Sequence, residues 1–238
     1  MAAILNIETA TPLCSVALAL NGQVIAQRET QEDKSHAARL TVYIEEILKE
    51  KDMNIRDLDA IAIGKGPGSF TGLRIGVSTA KGLCFGLNLP LIAFSTLKIL
   101  FIEAHKKFLA QNANPENIEN VLFCPMIDAR RMEVFTCLYS LTGMEEETVS
   151  ARIIEQDTFL PILSSRRIIF FGSGMDKCRN VLTHPNAIFL DNVHPHASSL
   201  ATLSAESYRN KVFENLAYFE PFYLKDFIAT IPRKGLVV

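Results

Sequence analysis

Two carboxylates stand at matching places in the sequence. Glu8 follows the apolar run Ala3–Ile7 in "ILNIET", and Asp128 follows Val121–Ile127 in "CPMIDA". Facing each other across a cleft, such a pair could hold a metal ion that bridges nucleotide phosphates. Singly, each is more often a strand-end cap or half of a surface ion pair. The phosphates would also need turns of free N–H groups built from small residues. After Glu8 the chain offers Thr9 and Thr11 as donors but no glycine. After Asp128 come Arg130 and Arg131, two cations that could neutralise a phosphate or simply fill its space.

A second candidate is Gly64–Gly76, "GKGPGSFTGLRIG". Gly66 and Gly68 permit backbone conformations closed to other residues, and Ser69 is a good helix N-cap. A helix start with free N–H groups suits an anion. The spacing nevertheless fails both common nucleotide fingerprints: no Gly-Lys-Ser or Gly-Lys-Thr closes it, and Thr71 stands where a dinucleotide loop wants its third glycine. Along the following helix Gly72, Gly76, Thr79 and Leu83 share one side. Interior glycines at 76 and 82 weaken that helix by about 2 kcal/mol, so something close-packed must offset the loss. The chain's own sheet could supply it, and so could a helix of another chain.

Other constellations are thin. His36 lacks a second metal ligand one turn on, and His194 and His196 flank Pro195 too closely for ordinary chelation. No Gly-x-Ser-x-Gly elbow occurs.

The elements that must position these residues come in a repeated order. Ala3–Ile7, Leu13–Leu20 and Gln23–Glu29 read as strands, with the hairpin signal Asn21-Gly22 between the last two. A helix over Ser35–Lys51 follows, with Leu40, Ile44, Ile47 and Leu48 on one face. Strand Asp59–Gly64, helix Gly72–Leu87, strand Leu91–Phe94 and helix Thr96–Leu109 complete a βββαβαβα unit. The polar stretch Gln111–Asn120 marks a boundary, dividing the chain into 1–110 and 111–238. Beyond it the order starts again: strands Val121–Ile127, Met132–Tyr139 and Thr148–Glu155, helix Asp157–Leu163, strand Arg167–Phe171, helix Met175–Leu182, strand Ala187–Leu190 and helix Ala197–Lys211. The repetition suggests internal duplication, with two mixed α/β halves facing across a cleft. The aromatic stretch "YFEPFYLKDFIAT" is expected to pack back on the body.

The chain has 238 residues, 48% hydrophobic and 21% charged, so a packed globular protein is expected. A net charge of −2 argues against it gripping a nucleic-acid backbone alone. There are five cysteines, an odd number without a Cys-x-x-Cys pair; Cys14, Cys84, Cys124 and Cys137 sit in apolar runs and read as buried thiols of a reducing cytoplasm. No basic leader and no membrane-length apolar run is read.

"GKGPGSFTGLRIGVSTAKGL", preceded by "ILNIETATPLCSVAL" and followed by "MIDARRMEVFT" and "EPFYLKDF", resembles the bacterial TsaB (YeaZ) family of tRNA threonylcarbamoyladenosine (t6A) biosynthesis. Glu8 departs from the pattern, since many members look to have Asp there. The resemblance implies duplicated ribonuclease-H-like halves of the actin-like, sugar-kinase and Hsp70 ATPase fold. It implies a non-catalytic scaffold that pairs with the catalytic paralogue TsaD, helps to recruit the ATPase TsaE, works downstream of a TsaC-type (TsaC or TsaC2) threonylcarbamoyl-adenylate synthase and meets tRNA only within the complex. No metal and no tightly held cofactor is expected on the isolated chain, with ATP or ADP placed at the subunit junction. Leu40, Tyr43, Ile44, Ile47, Gly72, Gly76, Thr79 and Leu83 become interface candidates. Glu8, Thr9, Gly66, Gly68, Ser69, Asp128 and Arg130 become the remnant of a nucleotide or anion site. Alone, the chain is expected to form a homodimer. A small kinase or ATPase of the same fold, and a metallopeptidase, are the competing readings.

Overall fold

The computed structural model describes residues 1–31, 36–111 and 120–225. The first half holds β1 (Ala3–Glu8), β2 (Cys14–Leu20), β3 (Gln23–Thr30), α1 (His36–Glu50), β4 (Ala60–Gly64), α2 (Phe70–Leu87), β5 (Leu91–Phe94) and α3 (Thr96–Gln111). The second holds β6 (Val121–Asp128), β7 (Glu133–Ser140), β8 (Glu145–Ile153), α4 (Leu160–Leu163), β9 (Arg167–Phe171), β10 (Ala187–Phe189) and α5 (Ala201–Arg209). The first sheet runs β3-β2-β1-β4-β5 and the second β8-β7-β6-β9-β10, the same order twice. In each, an antiparallel hairpin trio joins two parallel strands. This is a duplicated mixed α/β architecture, as the repeated order of elements in the sequence implies. Ser35 and most of the 111–120 stretch lie outside the described residues, as does the aromatic stretch beyond Lys225.

Both sheets are covered on both faces, which is why β1, β4 and β6 read as continuous apolar runs rather than alternating ones. Leu5 and Ile7 face α1 and α2, packing with Leu40, Ile44, Ile47, Val77, Ala80 and Cys84. Ile4, one residue out of phase, faces the opposite way with Ala60, Ala62 and Ile92, against Ala205 of α5. In the second sheet Phe123 and Ile127 pack on Leu97, Leu100, Phe101 and Ala104 of α3. Leu122, Cys124 and Met126 pack on Phe159, Leu163 and Cys178.

The helices are therefore exchanged. α3, which follows the strands of the first sheet, covers the second, and α5, which follows the strands of the second, covers the first. A division at 110/111 separates the strands but cuts through the packing. The exchange is fixed by buried polar contacts: Ser204 Oγ donates to Asn6 Oδ1 at 2.8 Å, and the Ala197 N–H donates to Ser15 Oγ at 3.0 Å.

Three expected elements differ. Met175–Leu182 forms only a 3₁₀ turn over Asp176–Cys178, since Asn180, Val181 and Thr183 are poor helix formers just ahead of Pro185. Asp157–Leu163 shrinks to α4, which opens on Leu160-Pro161. β8 begins at Glu145, ahead of the expected start at Thr148, because Gly143 at φ +81° closes the hairpin earlier.

All five cysteines are buried and unpaired. The segment after α5 returns across the first half. Phe219 enters the core beside Leu91 and Cys84. Lys81 Nζ donates to the Phe219 carbonyl at 2.7 Å, and the Phe222 N–H donates to the Lys65 carbonyl at 2.7 Å.

Candidate functional site

Gly64, Gly68, Gly72 and Gly76 recur every four residues, and all four face one segment, Glu8 to Ala10. A Cβ at Gly64 would collide with the Glu8 carboxylate, at Gly68 with the Ala10 carbonyl, at Gly72 with the Thr9 carbonyl and at Gly76 with the Thr9 hydroxyl. The β1–β2 turn is thus bedded in the glycine loop and the first turns of α2. The Ser69 N–H donates to the Ala10 carbonyl at 2.7 Å, and Thr9 Oγ1 donates to the Gly72 carbonyl at 2.9 Å. Ser69 also caps α2, its hydroxyl accepting from the Gly72 N–H at 3.3 Å. A free helix N-terminus attracts anions; here carbonyls of the same chain occupy that position. Gly66 meets a different demand. It adopts φ +103°, and a Cβ there would press on Leu73 and on the Phe222 carbonyl of the returning tail.

The two carboxylates do not form a pair. Glu8 is wholly buried; its Oε1 accepts from the Ala10 N–H at 2.6 Å and its Oε2 from Thr96 Oγ1 at 3.2 Å. Desolvation raises its pKa to about 7, and those hydrogen bonds only partly offset it. Asp128 is half-exposed and ion-paired with Lys177, which also donates to the Glu133 carbonyl at 2.7 Å. Its Oδ1 accepts from the Arg130 N–H at 3.0 Å. Glu8 is sealed by its own strand-end turn and Asp128 is ion-paired with an ammonium, so the two do not face each other as the pair that could bridge a cation. Among the described residues no three metal-ligating side chains converge.

Arg130 and Arg131 form the β6–β7 turn at φ +69° and +50°, the left-handed conformations that Asn21 and Gly22 supply between β2 and β3 at +50° and +86°. Their side chains are exposed, so they fill no pocket. His36 Nε2 donates to the Thr11 carbonyl at 2.9 Å, and His196 Nδ1 lies 2.8 Å from Glu29. Both histidines have structural partners.

The interface candidates separate into two groups. Leu40 and Ile47 are fully buried in the chain's own core, and Gly72 and Gly76 are covered by Thr9, so none of the four is presented to a partner. That corrects the sequence reading: the close packing that offsets the helix glycines at 72 and 76 is internal. Ile44, Thr79 and Leu83 instead line an open groove of about 830 Å³ between α1 and α2. Leu48, Met53 and Ile55 extend its apolar surface, and Glu45, Lys49 and Asp52 stand in its lining. Tyr43 is half-buried against the core beside it. Further along α2, Gly82 and Gly86 have open space above them and Phe85 is 84% exposed. The sequence reading missed Met53 and Ile55, which sit in a loop and a 3₁₀ turn where helical periodicity carries no signal.

A family model described as TsaD, tRNA N6-adenosine threonylcarbamoyltransferase, matches residues 23–233. A protein from Escherichia coli named "tRNA threonylcarbamoyladenosine biosynthesis protein TsaB" is 30% identical, with 95% of this chain and 96% of that protein covered. Its namesake from Bacillus subtilis is 34% identical over 71% of this chain and 70% of its own length. The chain belongs to the TsaB family. A solved structure of YeaZ from Pseudomonas aeruginosa agrees, with a TM-score of 0.75, 28% identity, and 94% of this chain and all of that one covered. In this TsaB-family chain the glycine loop is plugged by Glu8–Ala10 and the α1–α2 groove is open.

Proposed function

We propose that this chain is a non-catalytic subunit of the machinery that installs threonylcarbamoyladenosine on tRNA. It pairs with a TsaD-type transferase through the α1–α2 face, and the pair helps to recruit a TsaE-type ATPase. A TsaC-type synthase acts upstream. The observation that carries the reading is the occupation of the glycine loop by Glu8–Ala10. The positions where this fold would need phosphate donors and a cation are filled by the chain's own carbonyls and by Lys177. A nucleotide belongs, on this view, at the junction with the partner. tRNA is met only through the complex, because the chain's charge of −2 offers no excess of cations to a phosphate backbone. The buried, unpaired thiols fit a reducing cytoplasm.

Thr79→Arg tests the reading. Thr79 lines the groove and is only half-buried, so the variant folds. It is expected to abolish co-purification with the TsaD-type partner while the melting temperature stays within a few degrees. Leu109→Arg, exposed on α3, serves as control and should leave the complex intact. Full complex formation by Thr79→Arg removes the groove as the docking face. Micromolar Mg-ATP binding by the isolated chain, lost in Asp128→Ala, would instead favour an ATPase.

A further inference from the structure

The β6–β7 turn keeps two arginines where its backbone favours other residues. Arg130 and Arg131 stand at φ +69° and +50°, a left-handed region that glycine and asparagine enter at least cost and a long side chain only against strain. The matching turn between β2 and β3 uses Asn21 and Gly22 at φ +50° and +86°. Nothing in the packing calls for the arginines. Both side chains are exposed, and among the described residues neither guanidinium has a hydrogen bond or an ion pair. The two acids beside the turn are answered by other cations, Asp128 by Lys177 and Glu133 by Lys225. The charge of the arginines is therefore uncompensated.

The surface continues from the turn onto the first half. Glu133, whose N–H donates to the Arg130 carbonyl at 3.2 Å, holds Lys225. Two residues before Lys225 is Tyr223, 37% exposed, whose ring centre lies 4.6 Å from that of Phe70. The Arg74 guanidinium, exposed on α2, sits 4.2 Å from the centre of the Phe70 ring and has no carboxylate partner among the described residues. Unpaired arginines and paired rings thus follow one another, contact by contact, from the β6–β7 turn to α2. Neither Arg130 nor Arg131 lines the small cavity of about 210 Å³ walled by Thr11, Leu100, Ser173 and His194. An extended polyanion crossing an open surface fits them better than an enclosed nucleotide.

We propose that this stretch is where the subunit touches RNA: in the complex with a TsaD-type transferase, phosphates of the bound tRNA lie against Arg130 and Arg131. The inference rests on the proposed role in tRNA modification and names the part of this chain that meets the substrate. Guanidinium groups match phosphate oxygens in geometry as well as in charge. Rings exposed among cations suit RNA, whose looped bases stack on aromatic side chains; an acidic protein surface would use the charges and leave the rings idle. Strain held at a turn with no packing role is the expected mark of a functional demand. Two or three phosphate contacts are too few to hold RNA alone, in keeping with the net charge of −2 and with binding only through the complex.

Arg130→Asn combined with Arg131→Gly tests this, because it gives the turn residues suited to its backbone and removes both charges. The urea midpoint of the isolated chain should rise, and co-purification with the TsaD-type partner should be unchanged. The affinity of that complex for unmodified tRNA should fall. The slope of log affinity against log salt, taken between about 50 and 200 mM, should shrink by about one for each arginine removed. Unchanged affinity and slope would overturn the proposal. Loss of co-purification would do so too, by making the turn a protein contact. So would Mg-ATP binding by the isolated chain that the double variant loses, since the arginines would then serve a nucleotide. A lower urea midpoint would mean that the arginines hold the turn together, and would also overturn it. If the unaltered chain fails to pair with the partner, the docking reading falls first; a complex that pairs and keeps its salt slope sinks the RNA contact alone.

Discussion

A methyl group added to α2 has opposite consequences along its length. At Gly72 and Gly76 the added Cβ would overlap Thr9, whose backbone is held on both sides by β1 and the glycine loop and cannot retreat. At Gly82 nothing lies within 4 Å, and the position is an exposed helix interior. Gly76→Ala is expected to destabilise the fold by about 2 kcal/mol or more through overpacking. Gly82→Ala should stabilise it by up to about 1 kcal/mol through helix propensity. Urea unfolding of the two variants measures both. Equal effects would mean that Thr9 is not seated where the structure puts it. The contrast also shows what could be read in advance. Gly72 and Gly76 were visible, with Thr79 and Leu83, as a stripe along one side of the helix that needs cover. Its occupant was not, because Glu8–Ala10 lies more than fifty residues away and no local pattern links it to α2.

At the scale of elements, strand order and type were largely legible, because continuous apolar runs and the Asn21-Gly22 turn are local signals. The exchange of α3 and α5 was not. An amphipathic helix shows that one face is buried, but not against which sheet. Leu97, Leu100, Phe101 and Ala104 would suit either half. The structure makes the exchange testable through one polar pair. Asn6 is wholly buried on β1, and its Oδ1 accepts from Ser204 of α5 at 2.8 Å. Ser204→Ala leaves that oxygen without its donor in a dry site, which costs about 1–3 kcal/mol. The loss should appear as a lower urea midpoint with an unchanged slope. If α5 were only loosely docked, water would replace the hydroxyl and the midpoint would stay put. Cavity formation adds little here, since only one oxygen is removed.

At the scale of the whole molecule, the α1–α2 groove is an apolar surface that the chain's own packing leaves open. The α1–α2 groove is walled by Ile44, Leu48, Met53, Ile55 and Leu83, and the ridge beside it carries open glycines at 82 and 86 and the exposed ring of Phe85. Exposed apolar surface of this kind, with polar side chains at its rim, can mark a protein interaction site. Two copies can cover it by a two-fold arrangement, in which the same patch meets itself and α2 lies against α2. The glycines help, since small residues let helix axes approach closely. Sedimentation of the isolated chain should therefore show a concentration-dependent dimer, and Thr79→Arg should return it to a monomer because the charge falls on the shared face. A TsaD-type partner using the same face must compete, so titrating it in should convert homodimer to heterodimer without a ternary species. A homodimer that persists alongside bound partner would place self-association on another surface. A dimer untouched by Thr79→Arg would do the same, and both would leave the groove to the partner alone.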